Sequence, residues 1–278
     1  MDIIMQGGLW PGTIETAEGY IELDFVNKVI ISTFDHTHPA KSYNKNIQVV
    51  WEDPPENPGQ GNINMQILSS REGLKYSKAM IAAKTRTDQR IEPESLRKMN
   101  DIFNNHKHGF VPKFFKGSIY PLSHIFVLGL QTRFPFQTQD HIFWGFRRDL
   151  INLFNCHLNT EPLTGHWTKP EWGGHKQQDV GLNFTRHLRM PIWLSGHYFA
   201  RFNPSIYHYL ELPQLYLCDG APKGDIAMAT YYEMINDIFK PFPRIKMWWE
   251  KMGHEYPYAM YEQQGEINAD NWPDKFKI

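Results

Sequence analysis

The segment Lys84-Thr85-Arg86-Thr87-Asp88-Gln89-Arg90 gathers three cations and one carboxylate directly behind an apolar run. That set suits a diphosphate. Lys84, Arg86 and Arg90 offer charged N–H donors to phosphate or sugar oxygens. Asp88 offers carboxylate oxygen to a hard divalent ion such as Mg²⁺ or Mn²⁺, which would leave coordination positions free for phosphate. A solvated strand end whose charges pair among themselves accounts for the same residues equally well. Two further stretches follow apolar runs in the same way, Gln6-Gly7-Gly8 and Ser32 to His36.

Other chemistries have weaker signals. Neither GxxxxGK[ST] nor GxGxxG occurs, which argues against a P-loop phosphotransferase and a dinucleotide-binding oxidoreductase. Cys156 and Cys218 are too few for a disulfide framework and have no zinc spacing, so both read as buried thiols in a reducing compartment. Cys156 precedes His157, but adjacent residues on a helix do not face one another. The thirteen His include pairs at i,i+2, His36/His38 and His106/His108, without a third ligand beside them.

The elements that must position these residues alternate in type. Asp2 to Met5 reads as a short strand, ended by Gly7-Gly8 and the turn Pro11-Gly12. Thr13 then caps a helix reaching about Phe25, with Glu15 and Glu18 near its positive end. KVIIST (Lys28 to Thr33) and IQVVW (Ile47 to Trp51) read as strands, Asn64 to Lys78 as a helix, and AMIAA (Ala79 to Ala83) as a strand running into the charged cluster. This alternation predicts a mostly parallel sheet flanked by helices, with its ligand beyond the carboxyl ends of the strands. Further on, His124 to Leu130 and Ile142 to Phe146 read as strands, and Arg147 to Phe154 and Asp225 to Phe239 as helices. With no linker in view, residues 1–278 read as a single domain with a first half at 1–133 and a second at 134–278.

VIISTFDH, NINMQILSSREGLKYSKA, AAKTRTDQRI and QDHIFWGFRRDLINLF together resemble the WavE-type family of lipopolysaccharide-synthesis proteins, glycosyltransferases by attribution. The likeness covers roughly Val29 to Phe154, with a fainter echo in RFNPSIYHYL. It implies a GT-A-like fold, in which a Rossmann-type half binds a nucleotide-sugar, UDP-linked in this reading, and the other half binds the acceptor. GT-A enzymes present an Asp-x-Asp metal site at a strand end, whereas Asp88 here has no second Asp beside it. Carried over by position, Gln6-Gly7-Gly8 and Thr33-Phe34-Asp35 would border base and ribose, with Asp35 accepting from ribose hydroxyls. Asn62, Asn64 and Gln66 would open a helix whose N-terminus faces phosphate or sugar, although Asn62 or Asn64 serves equally as a helix cap. For sugar transfer Asp140 is the preferred general base on the acceptor hydroxyl. A strand-end cap or an ion pair of Asp140 with Arg147 or Arg148 is the other reading; Glu161, Glu171, Asp179 and His197 stand in reserve.

The second half carries the aromatic surplus. Of 9 Trp, Trp167, Trp172 and Trp193 fall between Thr160 and Tyr209 among several His, where rings can stack on pyranose faces and His197 can bond hydroxyls. Those rings also suit the core of an irregular region. Trp167, Trp172 and His197 are the acceptor-binding candidates. A formal charge of -1 excludes a polybasic nucleic-acid binder. The opening MDIIMQGGLW has no leader pattern and Ile125 to Leu130 is too short to span a bilayer, so a soluble, cytoplasmic protein is expected. The expected activity is transfer of a hexose or pentose from a nucleotide-sugar donor to a glycan acceptor, with Mn²⁺ or Mg²⁺ as cofactor. A non-catalytic carbohydrate-binding protein and another nucleotide-dependent transferase are the rival readings.

Overall fold

The computed structural model describes residues 1–36, 44–59, 62–106, 125–127, 130–131, 141–156, 158, 239–241, 247–249, 253–255 and 266–267. In chain order its first elements are β1 (Asp2–Gln6), α1 (Thr13–Ile21), β2 (Lys28–Thr33), β3 (Ile47–Trp51), α2 (Ile63–Tyr76), β4 (Ile81–Arg86), β5 (Gln89–Ile91) and α3 (Pro93–His106). There follow β6 (Ile125–Val127), β7 (Leu130–Gln131), β8 (Phe143–Phe146), α4 (Arg147–Phe154), β9 (Phe239–Pro241), β10 (Met247–Trp249), β11 (His254–Glu255) and β12 (Glu266–Ile267). The fold is α/β, with a mostly parallel central sheet in the order β3-β2-β1-β4-β8-β6-β9. Its first four strands are mutually parallel; β8 runs antiparallel to both β4 and β6, and β9 is parallel to β6. Two small sheets accompany it, β11-β10-β5 and β12-β7.

Both faces of the sheet are covered, as its near-continuous apolar strands require. On β1, Ile3 and Met5 join a core with Ala17 and Tyr20 of α1 and with Leu96, Met99 and Phe103 of α3. Ile4 points the other way, toward α2. There Gly73 lets helix and sheet meet closely: a Cβ on it would lie 2.5 Å from Ile4 Cγ2 and 3.2 Å from Ser32 Cβ. α4 packs beside α2, and Arg71 of α2 donates to the Phe154 and Cys156 carbonyls at the end of α4. Cys156 is buried, as its surroundings suggest.

Several boundaries differ from the sequence reading, each for a physical reason. The strand expected at Ala79–Ala83 starts two residues later and ends three later, because Lys84 and Thr85 lie inside the sheet and are fully buried. Asp2 sets its start. One carboxylate oxygen of Asp2 accepts from Ser77 Oγ and from the Lys78 and Ala79 N–H groups, which holds Ala79 in a turn. α1 ends at Ile21, where the chain turns through Leu23 and Val26, whose N–H groups donate to the Tyr20 and Leu23 carbonyls. Gly12 occupies its cap position, while the Thr13 hydroxyl is engaged elsewhere. The run expected as one strand over His124–Leu130 is divided between β6 and β7. The helix expected over Asp225 to Phe239 lies outside the described residues except for Phe239, which opens β9.

Candidate functional site

Strands β1, β2 and β4 point their carboxyl ends the same way, and the strand order reverses at β1, which has β2 on one side and β4 on the other. A crevice at such a reversal of strand order is where open α/β sheets bind ligands. A pocket of about 430 Å³ opens there, within the range of small-molecule sites. Its lining comes from four places. Gln6, Gly7, Gly8, Leu9 and Trp10 follow β1; Phe34 and Asp35 follow β2; Asn62, Met65 and Gln66 begin α2; Arg86, Thr87 and Asp88 end β4.

Thr87 holds the floor together. Its N–H donates to the Gln6 carbonyl at 3.1 Å, and its hydroxyl donates to the Gly8 carbonyl at 2.6 Å. The Thr87 carbonyl accepts from Thr13 Oγ1 at 3.1 Å, and Thr13 Oγ1 itself accepts from the Trp10 N–H at 2.8 Å. This chain of bonds ties the β1–α1 loop to the turn after β4. Gly7 sits in it at φ +135, and a Cβ there would lie 2.6 Å from Thr87 Oγ1. Only glycine combines that backbone with that approach.

Arg86 and Asp88 form the charged wall. Arg86 Nε donates to Asp88 Oδ1 at 2.9 Å and Nη2 to Oδ2 at 2.8 Å, a bidentate fork. The two side chains are 20% and 6% exposed, so Asp88 fixes a guanidinium that still meets the pocket. Opposite, Asn62 takes a left-handed φ of 61 at the start of α2, whose first turn carries no acidic residue. The positive end of that helix therefore adds to Arg86. Gln6 is 6% exposed, and its side-chain oxygen accepts no hydrogen bond.

The residues expected at a donor site are thus partly gathered. Gln6, Gly7, Gly8, Asp35, Arg86 and Asp88 line one pocket, joined by Asn62 and Gln66. Thr33, Asn64, Lys84 and Arg90 are not among its lining residues. Thr33 is buried, and its hydroxyl accepts from the Asp35 N–H at 3.0 Å, shaping the turn that presents Asp35. Asn64 donates from its amide to the Asn57 carbonyl. Lys84 is fully buried within β4, its Nζ 5.8 Å from the centre of the Phe143 ring. Arg90 is exposed on β5. Asp140, Trp167, Trp172 and His197 lie outside the described residues, as do Glu161, Glu171, Asp179 and Cys218.

Asp88 also bears on the divalent ion. Both its oxygens accept from Arg86, so a cation on the same carboxylate would sit against a guanidinium. Among the described residues no three His, Cys, Asp or Glu converge. Leu9, Trp10, Met65 and Thr87 are pocket residues that motif reading did not single out. For Trp10 and Thr87 the available signal was position, since each lies within a few residues of a strand's carboxyl end.

No protein-family model matches the chain, and no curated protein matches it. Among solved structures, HddC from Yersinia pseudotuberculosis is similar at 11% identity, with a TM-score of 0.33, over 54% of this chain and 78% of that one. HddC in complex with GMP-PN is similar at 12% identity, with a TM-score of 0.32 and the same coverage. Superposition at that level carries no functional assignment. No helix among the described residues is long and apolar enough to cross a membrane.

Proposed function

We propose that the pocket binds a nucleoside diphosphate-sugar and that the protein is a GT-A-like glycosyltransferase acting on a glycan acceptor. The observation that carries this reading is the pocket's division of chemistry. Trp10 and Phe34 supply flat apolar faces for a base, Asp35 a hydrogen-bond acceptor for ribose, and Arg86 with the positive end of α2 a place for phosphate. Arrangement by halves supports it too. Parallel strands β1, β2 and β4 carry the pocket, and the reversed strand β8 leads into the second half of the chain. The resemblance to WavE-type proteins rests on the same segments.

In the proposed reaction the acceptor hydroxyl oxygen bonds to the anomeric carbon. The bond from that carbon to the diphosphate breaks, its electron pair leaves with the nucleoside diphosphate, and the hydroxyl proton passes to a carboxylate. Asp140 is the proposed acceptor of that proton. No step is routed through a metal. Arg86 and the α2 N-terminus stand where charge grows on the leaving diphosphate, and donors fixed in advance stabilise such charge most.

A thermal-shift screen of nucleotide-sugars and free nucleotides tests the reading, since a ligand at 100 times its Kd stabilises by about 2.7 kcal/mol. One nucleotide class should raise Tm, and the matching nucleotide-sugar should be turned over with release of nucleoside diphosphate. UDP titrations with and without Mn²⁺, repeated in Asp88→Ala, decide the metal: binding that needs Mn²⁺ in the natural chain and is lost in the variant would restore Asp88 as a ligand. If oligosaccharides bind while every nucleotide leaves Tm unchanged, the carbohydrate-binding rival replaces the transferase.

A further inference from the structure

Arg90 lies off the donor pocket, and the register of the small sheet shows what stands across from it. β10 pairs antiparallel with β5, matching Met247 to Ile91, Trp248 to Arg90 and Trp249 to Gln89. Side chains alternate across such a ladder. Ile91 and Met247 are each 2% exposed and belong to the main core, and Gln89 is 1% exposed, its amide bonded to His141 Nδ1. Arg90 and Trp248 therefore share the outward face. Directly opposed residues on one face hold their Cβ atoms about 4.5–5.5 Å apart.

Both residues are accessible. Trp248 is 38% exposed, one of three large hydrophobic residues so exposed among those described, and Arg90 is exposed as well. Arg90 makes no side-chain hydrogen bond or salt bridge among the described residues, in contrast to Arg86. Glu255 of β11 stands in register with Trp248 on its other side. A guanidinium beside an exposed indole is a pairing that holds a sugar ring: the indole takes the C–H face, and the guanidinium bonds ring oxygens or a carboxylate. Its location is specific. At about 3.3 Å per residue, Arg90 is no more than about 7 Å along the chain from Asp88 in the pocket wall.

We propose that Arg90 and Trp248 form an acceptor subsite that stacks one pyranose ring of the glycan beside the donor pocket. The word acceptor rests on the transferase reading; the sugar contact itself rests on the Arg90–Trp248 face alone. The ring is neutral or acidic, and the two are separated by the probes.

The test uses the full chain carrying 5-fluorotryptophan, with the Trp248 resonance identified by its absence in Trp248→Phe. Methyl β-D-glucopyranoside and methyl β-D-glucuronide are titrated in the presence of UDP while fluorine NMR is recorded. The Trp248 resonance should move saturably with at least one glycoside. Arg90→Ala should raise that Kd about tenfold, as expected for loss of a charge-assisted hydrogen bond. A Kd several-fold lower for the glucuronide means that Arg90 reads a carboxylate, and equal values mean that it reads hydroxyls. UDP affinity in Trp248→Ala should match the natural chain, which also shows that the variant is folded. If UDP binds and the Trp248 resonance stays still for both glycosides, the subsite is refuted while the donor reading stands; a protein-docking face would give that silence. If Trp248 responds but UDP does not bind, the sugar contact stands and the donor reading fails.

Discussion

Arg86→Ala is the perturbation on which the site's electrostatics can be worked through. The substitution removes a cation from the pocket wall and takes the bidentate fork of Arg86 away from Asp88. Loss of a charge-assisted bond to phosphate costs about 1.5–3 kcal/mol. Asp88, only 6% exposed, then faces the ligand without that guanidinium beside it. At about 6 Å and an effective dielectric between 20 and 80, its repulsion of one phosphate charge is about 0.7–3 kcal/mol. Because Arg86 is 20% exposed, water enters when it is gone, and the lower part of the combined range applies. A loss of about 2–4 kcal/mol weakens UDP about 30- to 700-fold. Calorimetry with UDP and with uridine separates the contributions, since uridine carries no phosphate and should lose less than about threefold. The double variant Arg86→Ala/Asp88→Ala should bind UDP better than Arg86→Ala alone, by about 3- to 10-fold, because the repulsion is removed with the carboxylate. UDP binding unchanged in Arg86→Ala, or uridine weakened as much as UDP, would refute a phosphate-facing Arg86.

Gly7→Ala forces a side chain into the left-handed region and against Thr87 Oγ1, so Tm should fall, by the equivalent of about 1–3 kcal/mol, and UDP affinity with it; a melt paired with a titration reads both. Gly73→Ala should also lower Tm, because overpacking against Ile4 outweighs a helix-propensity gain of about 1 kcal/mol, and adding Ile4→Ala should recover part of the loss. Tyr20 is fully buried with its hydroxyl oxygen accepting from the Ile91 N–H, and burial pushes its pKa well above 10. The neutral form is thus favoured by folding: this stability is complete below about pH 10 and falls as pH rises further, by up to about 1.4 kcal/mol per pH unit, while the unfolded chain releases its proton. Denaturant melts above pH 10 should show a shallower decline in Tyr20→Phe than in the natural chain. Asp140→Asn should lose kcat while keeping UDP affinity, and full turnover in that variant would remove Asp140 as the base.

The parallel half was legible because its strands are buried on both faces, and KVIIST and IQVVW announce that without ambiguity. The charged string after AMIAA misled by its polarity. Charge normally marks a strand end, yet Lys84 is inside the sheet, over an aromatic ring from β8, a strand roughly 60 residues later in the chain. No local pattern carries such a partner. Asp88 posed a similar difficulty: a lone carboxylate in a basic cluster reads as a metal ligand or as an ion-pair partner, and which cation it pairs with, Arg86, shows only in the folded chain. Asp35 and Gln6 were findable by position alone, because the ends of parallel strands are where ligands meet backbone. Trp10 was findable in the same way, four residues past the end of β1; the bonds from its N–H to Thr13 and from Thr13 to Thr87 tie its backbone to the pocket floor.

The pairing of β10 with β5 also has a kinetic side. β1 meets β2 across 26 residues and β4 across 80, all within the first half, so the pocket can assemble as that half leaves the ribosome. Trp248 must find Arg90 across roughly 160 residues, a closure costing about 2 kcal/mol more entropy than a ten-residue loop. A nascent chain would therefore have its pocket formed long before the surface beside it closes; on the proposed reading, the last large step of folding completes the acceptor's place.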